Sequence, residues 1–179
     1  MTEQIFLREL SADDAEAFFE LRLKGLKEEP DAFTSSYEES LAEEITSVRS
    51  KITAGPNSFV VGAFDGSRLI GVTGLYRYKE SVKVAHKAVL WGVYLLPEYR
   101  GKGIAKKVLR AVLEKARTLQ GIELVHLGVN PANKPVVKLY ESVGFTKWGE
   151  EKHALKINGR YVDEDQMVLW IDPNFDGLA

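Results

Sequence analysis

A strand, a glycine-rich turn and a helix follow one another between residues 88 and 116, and this succession constrains the fold more than any other part of the chain. An apolar run ending at Leu96 is followed by Arg100-Gly101-Lys102-Gly103-Ile104-Ala105 and then by a helical pattern of apolar residues. Glycines let the backbone approach a ligand closely, and a helix start presents unpaired N–H groups at the positive end of its dipole. The turn therefore predicts an anion site, most often for phosphate.

This turn is similar to three phosphate-binding motifs, and residue spacing distinguishes between them. A Walker loop needs Gly-Lys followed by Ser or Thr, but Gly103 follows Lys102. A dinucleotide fingerprint needs a third small residue where Lys106 stands, although Glu123 lies about where its ribose-binding acid belongs. The third motif is Arg/Gln-x-x-Gly-x-Gly/Ala, and it is filled by Arg100, Gly103 and Ala105.

This third motif resembles the coenzyme A pyrophosphate loop of the GCN5-related N-acetyltransferases (GNAT). The segment from Asn130 to Phe145 resembles the second cofactor segment of that family, with its asparagine, its Leu-Tyr-Glu sequence and its Gly-Phe strand entry in order. The resemblance covers roughly residues 60 to 170, and we take it as the working identification. It implies an α/β (α+β) fold with a mixed, mostly antiparallel central sheet flanked by helices, and acetyl-CoA-dependent N-acetyltransferase activity.

The hydrophobic pattern of the whole chain predicts the same architecture in one domain over residues 1–179. The predicted order is β-α-α-β-β-β-α-β-α-β-β, a mixed sheet with helices on its faces. Helices are predicted from a Ser11 cap through Leu26, from a Ser36 cap to about Thr53, at 103–119 and from an Asn133 cap to Val143. Strands are predicted at 5–10, 58–64, 69–78, 87–96, 122–129 and 145–150, followed by a hairpin that turns at Asn158-Gly159.

Composition excludes several classes of protein. The chain has no cysteine, which excludes disulfides, thiolate metal sites and a cysteine acyl-enzyme. Its net charge of −2 argues against nucleic acid as a partner, and its three scattered histidines suggest no metal site. Without a bilayer-length apolar run or a secretory signal at Met1–Gln4, we expect no membrane partner and a cytoplasmic location. The sequence leaves open whether the protein forms a homodimer.

The family resemblance assigns one set of residues to acetyl-CoA. By resemblance, backbone groups of Val93, Tyr94 and Leu95 pair with the pantetheine arm as an added strand would, and a strand amide polarises the thioester carbonyl. Asn133 is expected to touch the cofactor arm, although a plain helix cap explains it equally well. The pyrophosphate is assigned to the turn and the first helical residues, namely Arg100, Gly101, Lys102, Gly103, Ile104, Ala105 and Lys106.

Tyr140 is the expected proton donor to the leaving thiolate and a further cofactor contact, because the family places a tyrosine at this point of the Leu-Tyr-Glu sequence. The competing interpretation is a core tyrosine with a satisfied hydroxyl group, packed on the same helical face as its apolar neighbours. The general base is open, because the positions that carry a glutamate in many family members are Val89 and Gly128 here. We name His86 as the base, and the alternatives are Glu80, His126 and acids of the 28–38 loop acting through water.

The expected acceptor is a small amine bound between the loop at residues 30–37 and the hairpin that turns at residues 158–159. Phe33, Tyr37 and Tyr161 would supply its walls. A local acidic excess would attract an ammonium group or a basic peptide, unless these acids are only solvated. The acids are Glu28, Glu29, Asp31, Glu38, Asp163, Glu164 and Asp165. A non-catalytic acyl-CoA-binding or regulatory module, and a protein N-terminal or lysine acetyltransferase with a peptide acceptor, stay open as alternative functions.

Overall fold

The computed structural model describes residues 5–53, 55, 57–79 and 81–172, and the strands among them form one sheet. The strands are β1 (Ile5–Glu9), β2 (Ser58–Asp65), β3 (Arg68–Arg77), β4 (Lys87–Leu95), β5 (Leu124–Val129), β6 (Thr146–Ile157) and β7 (Arg160–Trp170). The α-helices are α1 (Ala15–Glu28), α2 (Tyr37–Leu41), α3 (Ile45–Ile52), α4 (Ile104–Thr118) and α5 (Lys134–Glu141).

The sheet has the strand order β1-β2-β3-β4-β5-β7-β6, and β4 and β5 are its parallel pair. The other neighbouring strands are antiparallel, which confirms the expected mixed, mostly antiparallel sheet. Within the described residues β4 and β5 pair only from Lys87 with Leu124 to Val89 with His126. Beyond that point the two strands diverge, and the sheet opens between them.

Helices α1, α3 and α4 pack on the strands that precede this opening. Helix α4 buries one apolar stripe, which includes Val108, Val112 and Ala116, against β2, β3 and β4, and it leaves its basic side exposed. Helix α1 packs against β3 and β4, while α3 packs against β2 and α1. No helix within the described ranges combines the length and the apolar character that crossing a bilayer requires.

A bulge in β4 lies at the point where the sheet opens. Val72 pairs with Tyr94, but Gly74 pairs with Trp91, so β4 contains an extra residue relative to β3. Gly92 has a φ of 65°, a left-handed conformation that a residue with a side chain rarely adopts. The bulge therefore changes which face of the sheet the following side chains occupy.

The helix predicted as one segment from Ser36 to Thr53 is two helices. Ser36 caps α2 as predicted, since its Oγ accepts a hydrogen bond from the Glu39 N–H and the Glu39 carboxylate accepts one from the Ser36 N–H. The first segment buries only Ser40, so packing does not hold it in a continuous helix. Glu44 is extended, with φ −75° and ψ 142°, and α3 begins after it.

The last two strands differ from the prediction in one respect. The segments expected at residues 145–150 and 154–157 are parts of one strand, β6. Its register with β7 shifts between Glu151 and Leu155, where His153 has a φ of 56°. The irregular stretch explains why the sequence pattern suggested a break.

Candidate active site

A cleft of about 1290 Å³ occupies the opening between β4 and β5. Its lining comes from β3, from β4 starting at Val89, from the end of β5, from α1 and the loop after it, from the first turn of α4, from α5 and from Glu164 of β7. Within the described residues, the peptide groups of β4 that face β5 have no strand partner after Val89. This free edge has the geometry that an extended ligand needs to pair as an added strand.

The glycine turn borders the cleft at the start of α4. Gly101 and Gly103 have φ values of 75° and 74°, and a Cβ built at either position would meet no atom within 4 Å. Backbone conformation, not lack of space, therefore requires glycine here, and the space above the turn is open to a ligand. The first-turn amides after Gly103 lack helical carbonyl partners. Lys106 lines the cleft, whereas Lys102 lies over the Tyr99 ring and does not line it.

Arg100 ties this turn to the end of β4 and to the end of α1. Its Nε donates to the Leu95 carbonyl at 2.9 Å, and its Nη2 lies 2.6 Å from the Glu29 carboxylate. Its guanidinium also lies 5.7 Å from the centre of the Tyr94 ring. Burial, followed by a 2.6 Å hydrogen bond to Glu28, raises the pKa of the Tyr94 hydroxyl. These contacts fix the turn and the end of β4 relative to each other.

Asn133 does not cap α5 with its side chain, contrary to the simpler of the two interpretations from the sequence. It stands at the N-cap position but makes no capping hydrogen bond. The preceding turn is instead held by Asn130, whose Oδ1 accepts from the Ala132 N–H at 2.9 Å. Because Asn133 also lines the cleft, its amide is available to a ligand there.

Tyr140 combines a packed ring with a hydroxyl group that other residues leave unsatisfied. The residue is buried, its ring packs edge-on against Phe145 with centroids 5.9 Å apart, and it lines the cleft. Among the described residues its hydroxyl makes no hydrogen bond, and burial raises its pKa. The hydroxyl therefore stays protonated at neutral pH, and no partner among the described residues explains it as a purely structural group.

The histidines considered as bases are not brought to the cleft. His86 precedes β4, where its carbonyl accepts hydrogen bonds from the Glu123 and Leu124 N–H groups at 2.8 and 3.4 Å, and it does not line the cleft. His126 packs edge-on against Trp148 with ring centroids 6.1 Å apart and also lies outside the lining. Glu80 falls outside the described residues.

Glu164, a carboxylate that sequence reasoning had counted only as part of an acidic excess, does line the cleft. It lies over Gly128 on the neighbouring strand, and a Cβ at residue 128 would stand 2.4 Å from its Oε2. Burial first, and then the charge of Glu151, raise the pKa of Glu164, while a hydrogen bond with Gln166 lowers it. A partly buried carboxylate with a raised pKa is a suitable proton acceptor near neutral pH.

The structure corrects the expectation of an acidic pocket, because most of the acids are already paired. Glu29 pairs with Arg100, Glu28 accepts from the Tyr94 hydroxyl, and Asp31 accepts two hydrogen bonds from Arg160 at 2.6 and 2.8 Å. On the hairpin, Asp163 and Asp165 pair with lysines 152 and 147. These acids therefore offer little net attraction to a free ammonium group.

The Asp31–Arg160 contact joins the two segments that were expected to hold the acceptor, the loop after α1 and the β6–β7 hairpin. Of the predicted acceptor residues, Phe33 lines the cleft. Tyr37 instead lies beside Lys27, 5.9 Å from its Nζ, and Tyr161 stacks on His153 with centroids 4.4 Å apart. Neither of these two tyrosines lines the cleft.

Arg22 on α1 is a cleft residue that the sequence did not reveal. Its guanidinium lies 5.4 Å from the Phe33 ring centre and 5.5 Å from that of Trp91. Its Nη2 donates to the Ser35 Oγ at 3.2 Å. One arginine within an amphipathic helix gives no sequence signal of this placement, because the bulge in β4 and the loop after α1 create its surroundings.

Comparisons with known proteins agree with this geometry. A model of the acetyltransferase (GNAT) family matches residues 16–145. The chain is 30% identical over 101 residues to spermidine N(1)-acetyltransferase of Vibrio cholerae, which covers 56% of each protein. It is 32% identical over 106 residues to N-alpha-acetyltransferase RimI of Mycobacterium tuberculosis, which covers 59% of this chain and 63% of that one. The chain thus matches only part of the length of these curated relatives.

A solved structure shows the same fold over nearly the whole chain. The structure of yncA from Salmonella typhimurium with its cofactor acetyl-CoA matches with a TM-score of 0.80 at 18% identity, over 98% of this chain and 97% of that one. The expected fold is confirmed. With a family model that spans most of the sequence, the chain belongs to the acetyltransferase (GNAT) family.

Proposed function

We propose that this protein transfers an acetyl group from acetyl-CoA to the primary amine of an acceptor. The observation that carries the proposal is the free edge of β4, which runs through the cleft toward the glycine turn at the start of α4. The named relatives support an amine acceptor, since one is a spermidine and another an N-alpha acetyltransferase.

The cleft residues fit the chemical parts of acetyl-CoA, which supplies an acetyl thioester. Between Val93 and Leu95, the peptide groups that face away from β3 lie on the free edge, where they suit the amide-containing pantetheine arm, except that the Leu95 carbonyl already accepts from Arg100. The first-turn amides of α4 and the Lys106 ammonium suit the pyrophosphate. The uncapped Asn133 side chain supplies a further amide that faces the cleft.

We assign the two proton transfers of this reaction to two side chains that line the cleft. The acceptor nitrogen attacks the acetyl carbonyl carbon directly, so that a C–N bond forms and the C–S bond breaks. We assign the proton lost by the amine to Glu164, in place of His86, because Glu164 lines the cleft and His86 does not. We assign the proton gained by the departing sulfur to Tyr140, whose hydroxyl is protonated and unpaired within the described chain.

The test measures thiol release from acetyl-CoA with spermidine, free amino acids, lysine peptides and N-terminal peptides, with mass spectrometry of the products. Tyr140→Phe keeps the ring and should lower kcat about 10²-fold or more with little change in acetyl-CoA affinity. Tyr78→Phe, which removes a tyrosine hydroxyl outside the cleft lining, is the matched control. If acetyl-CoA binds but no amine is acetylated, the protein is a non-catalytic acyl-CoA-binding module and the proposal fails.

A further inference from the structure

The charges that line the cleft divide into paired and unpaired groups. Glu28, Glu29, Asp31 and Arg100 make the contacts described above, within the protein. Arg22, Lys106 and Glu164 line the cleft without a salt-bridge partner among the described residues. Lys106 lies beside the glycine turn, where it suits the pyrophosphate. The cation and the anion that remain for the acceptor are therefore Arg22 and Glu164.

The Arg22 guanidinium is partly buried and poorly satisfied. Burial lowers its pKa, and Glu43 opposes this shift only through its charge, without a salt bridge. Of its five N–H donors, one is used by the Ser35 hydroxyl. Phe33 and Trp91 flank the group and limit its access to water. A partly buried guanidinium that lines the cleft, and that uses only one donor on another described residue, is a site for a carboxylate, which it binds through two hydrogen bonds.

Arg22 and Glu164 lie at the same opening of the sheet. The last parallel pair is Val89 with His126, and residues two positions further along each strand, Trp91 and Gly128, share that face. The Arg22 guanidinium lies beside Trp91, and its Nη1 is 3.6 Å from the position of a Cβ at residue 92. The Glu164 carboxylate lies over Gly128. The cation and the anion therefore flank the two sides of the opening.

We propose that Arg22 binds a carboxylate of the acceptor, so that the acceptor is a small amino acid in the broad sense, with both a primary amine and a carboxylate. The inference rests on the proposed function and names its substrate class. Glu164 receives the amine end, and Arg22 together with the Ser35 hydroxyl receives the acid end. A polyamine would place further positive charge near Arg22, which disfavours its binding.

The experiment compares free amino acids with their carboxamides, with spermidine as the polyamine. Binding is measured by calorimetry on protein saturated with coenzyme A, and turnover is measured by thiol release. At least one free acid should bind and react about 10-fold or more better than its amide, as expected for a lost charge-assisted contact. Arg22→Gln should abolish this preference through KM and Kd for the acid, while acetyl-CoA affinity is unchanged. Arg22→Lys should retain part of it.

Arg117→Gln, which removes an exposed arginine from α4, is the matched control for net charge. Thermal unfolding midpoints establish that the Arg22 variants fold. The inference about Arg22 is overturned if amides or spermidine match the acids, if no acid binds, or if Arg22→Gln keeps the preference. In each of these cases the proposed acetyl transfer is still decided by the thiol-release assay. If carboxylate binding depends on Arg22 but nothing is acetylated, the carboxylate site holds and the proposed function fails.

Discussion

The carboxylate of Glu164 occupies the space that a side chain at Gly128 would fill. A Cβ at residue 128 would lie 2.4 Å from Glu164 Oε2, closer than real Cβ contacts allow. By family resemblance, residue 128 stands at one of the two positions where many family members carry a glutamate. The protein thus presents a carboxylate to this part of the cleft from β7, in the space that the missing side chain at residue 128 leaves open.

Gly128→Ala should therefore lower kcat by displacing the Glu164 carboxylate, by about 10-fold if the group acts as a general base. Acetyl-CoA affinity should change little. The control is Gly149→Ala, also in a strand beside Gln166, where a Cβ would meet its nearest neighbour at an ordinary 3.9 Å. Steady-state kinetics of the two variants give the comparison.

A second test of the same relationship moves the carboxylate from β7 to β5. Glu164→Ala should lose activity, and the double variant Gly128→Glu with Glu164→Ala should recover part of it, because the acid returns to nearly the same space. If Gly128→Ala and Gly149→Ala are equally active, the contact between residues 128 and 164 has no bearing on the reaction.

The pH dependence of kcat/KM separates Glu164 from His86 as the base. Because burial raises the pKa of Glu164, the carboxylate is protonated and inactive at low pH. Activity should rise as the pH increases through that raised pKa, and Glu164→Gln should remove this rising limb. His86→Ala should leave it in place. If His86→Ala removes the rising limb and Glu164→Gln leaves it in place, His86 is the base.

Gly103 is expected to be essential for acetyl-CoA affinity. Gly103→Glu places a carboxylate in the open space over the turn, where it would repel the pyrophosphate, so calorimetry should show strongly weakened binding. Gly66→Glu is the control, because Gly66 also has a positive φ, 56°, and open space, but lies in the β2–β3 turn outside the cleft lining. Equal acetyl-CoA affinity in the two variants would remove the turn from the cofactor site.

Asp14 is expected to stabilise the fold in a pH-dependent manner. Its carboxylate accepts two 2.7 Å hydrogen bonds from Arg8 and one from the Ser11 N–H, and Arg8 is the main cause that lowers the pKa of Asp14 to about 2. A depressed pKa stabilises the fold above the unfolded value and loses that effect as the pH falls toward the folded one.

Asp14→Asn should therefore reduce the free energy of unfolding by about 1–2 kcal/mol at pH 7, with the difference shrinking below pH 4. Urea unfolding at several pH values measures this difference, and Asp13→Asn, at an exposed neighbouring carboxylate, is the control. A difference that stays constant with pH would show that the ionised Arg8–Asp14 pair is not its source.

Local signals in the sequence were enough to predict the fold and the glycine turn. The strand pattern before Leu96, the glycines at 101 and 103 and the helical stripe after them each act within a few residues. The two glycines have positive φ in the structure, so the residue type itself indicated the backbone conformation. The break between α2 and α3 escaped this reasoning, because no glycine or proline marks it.

The sequence alone determined that this chain is a mixed sheet with a glycine turn between a strand and a helix, because those features follow from local conformation and hydrophobic periodicity. Only the tertiary structure decided which charges remain free inside the cleft. The Glu29–Arg100 and Asp31–Arg160 pairs neutralise acids that looked available, while Arg22 and Glu164 line the cleft without a salt-bridge partner among the described residues. Such pairing depends on strand register and on contacts between residues as far apart as 129 positions, which no local pattern encodes.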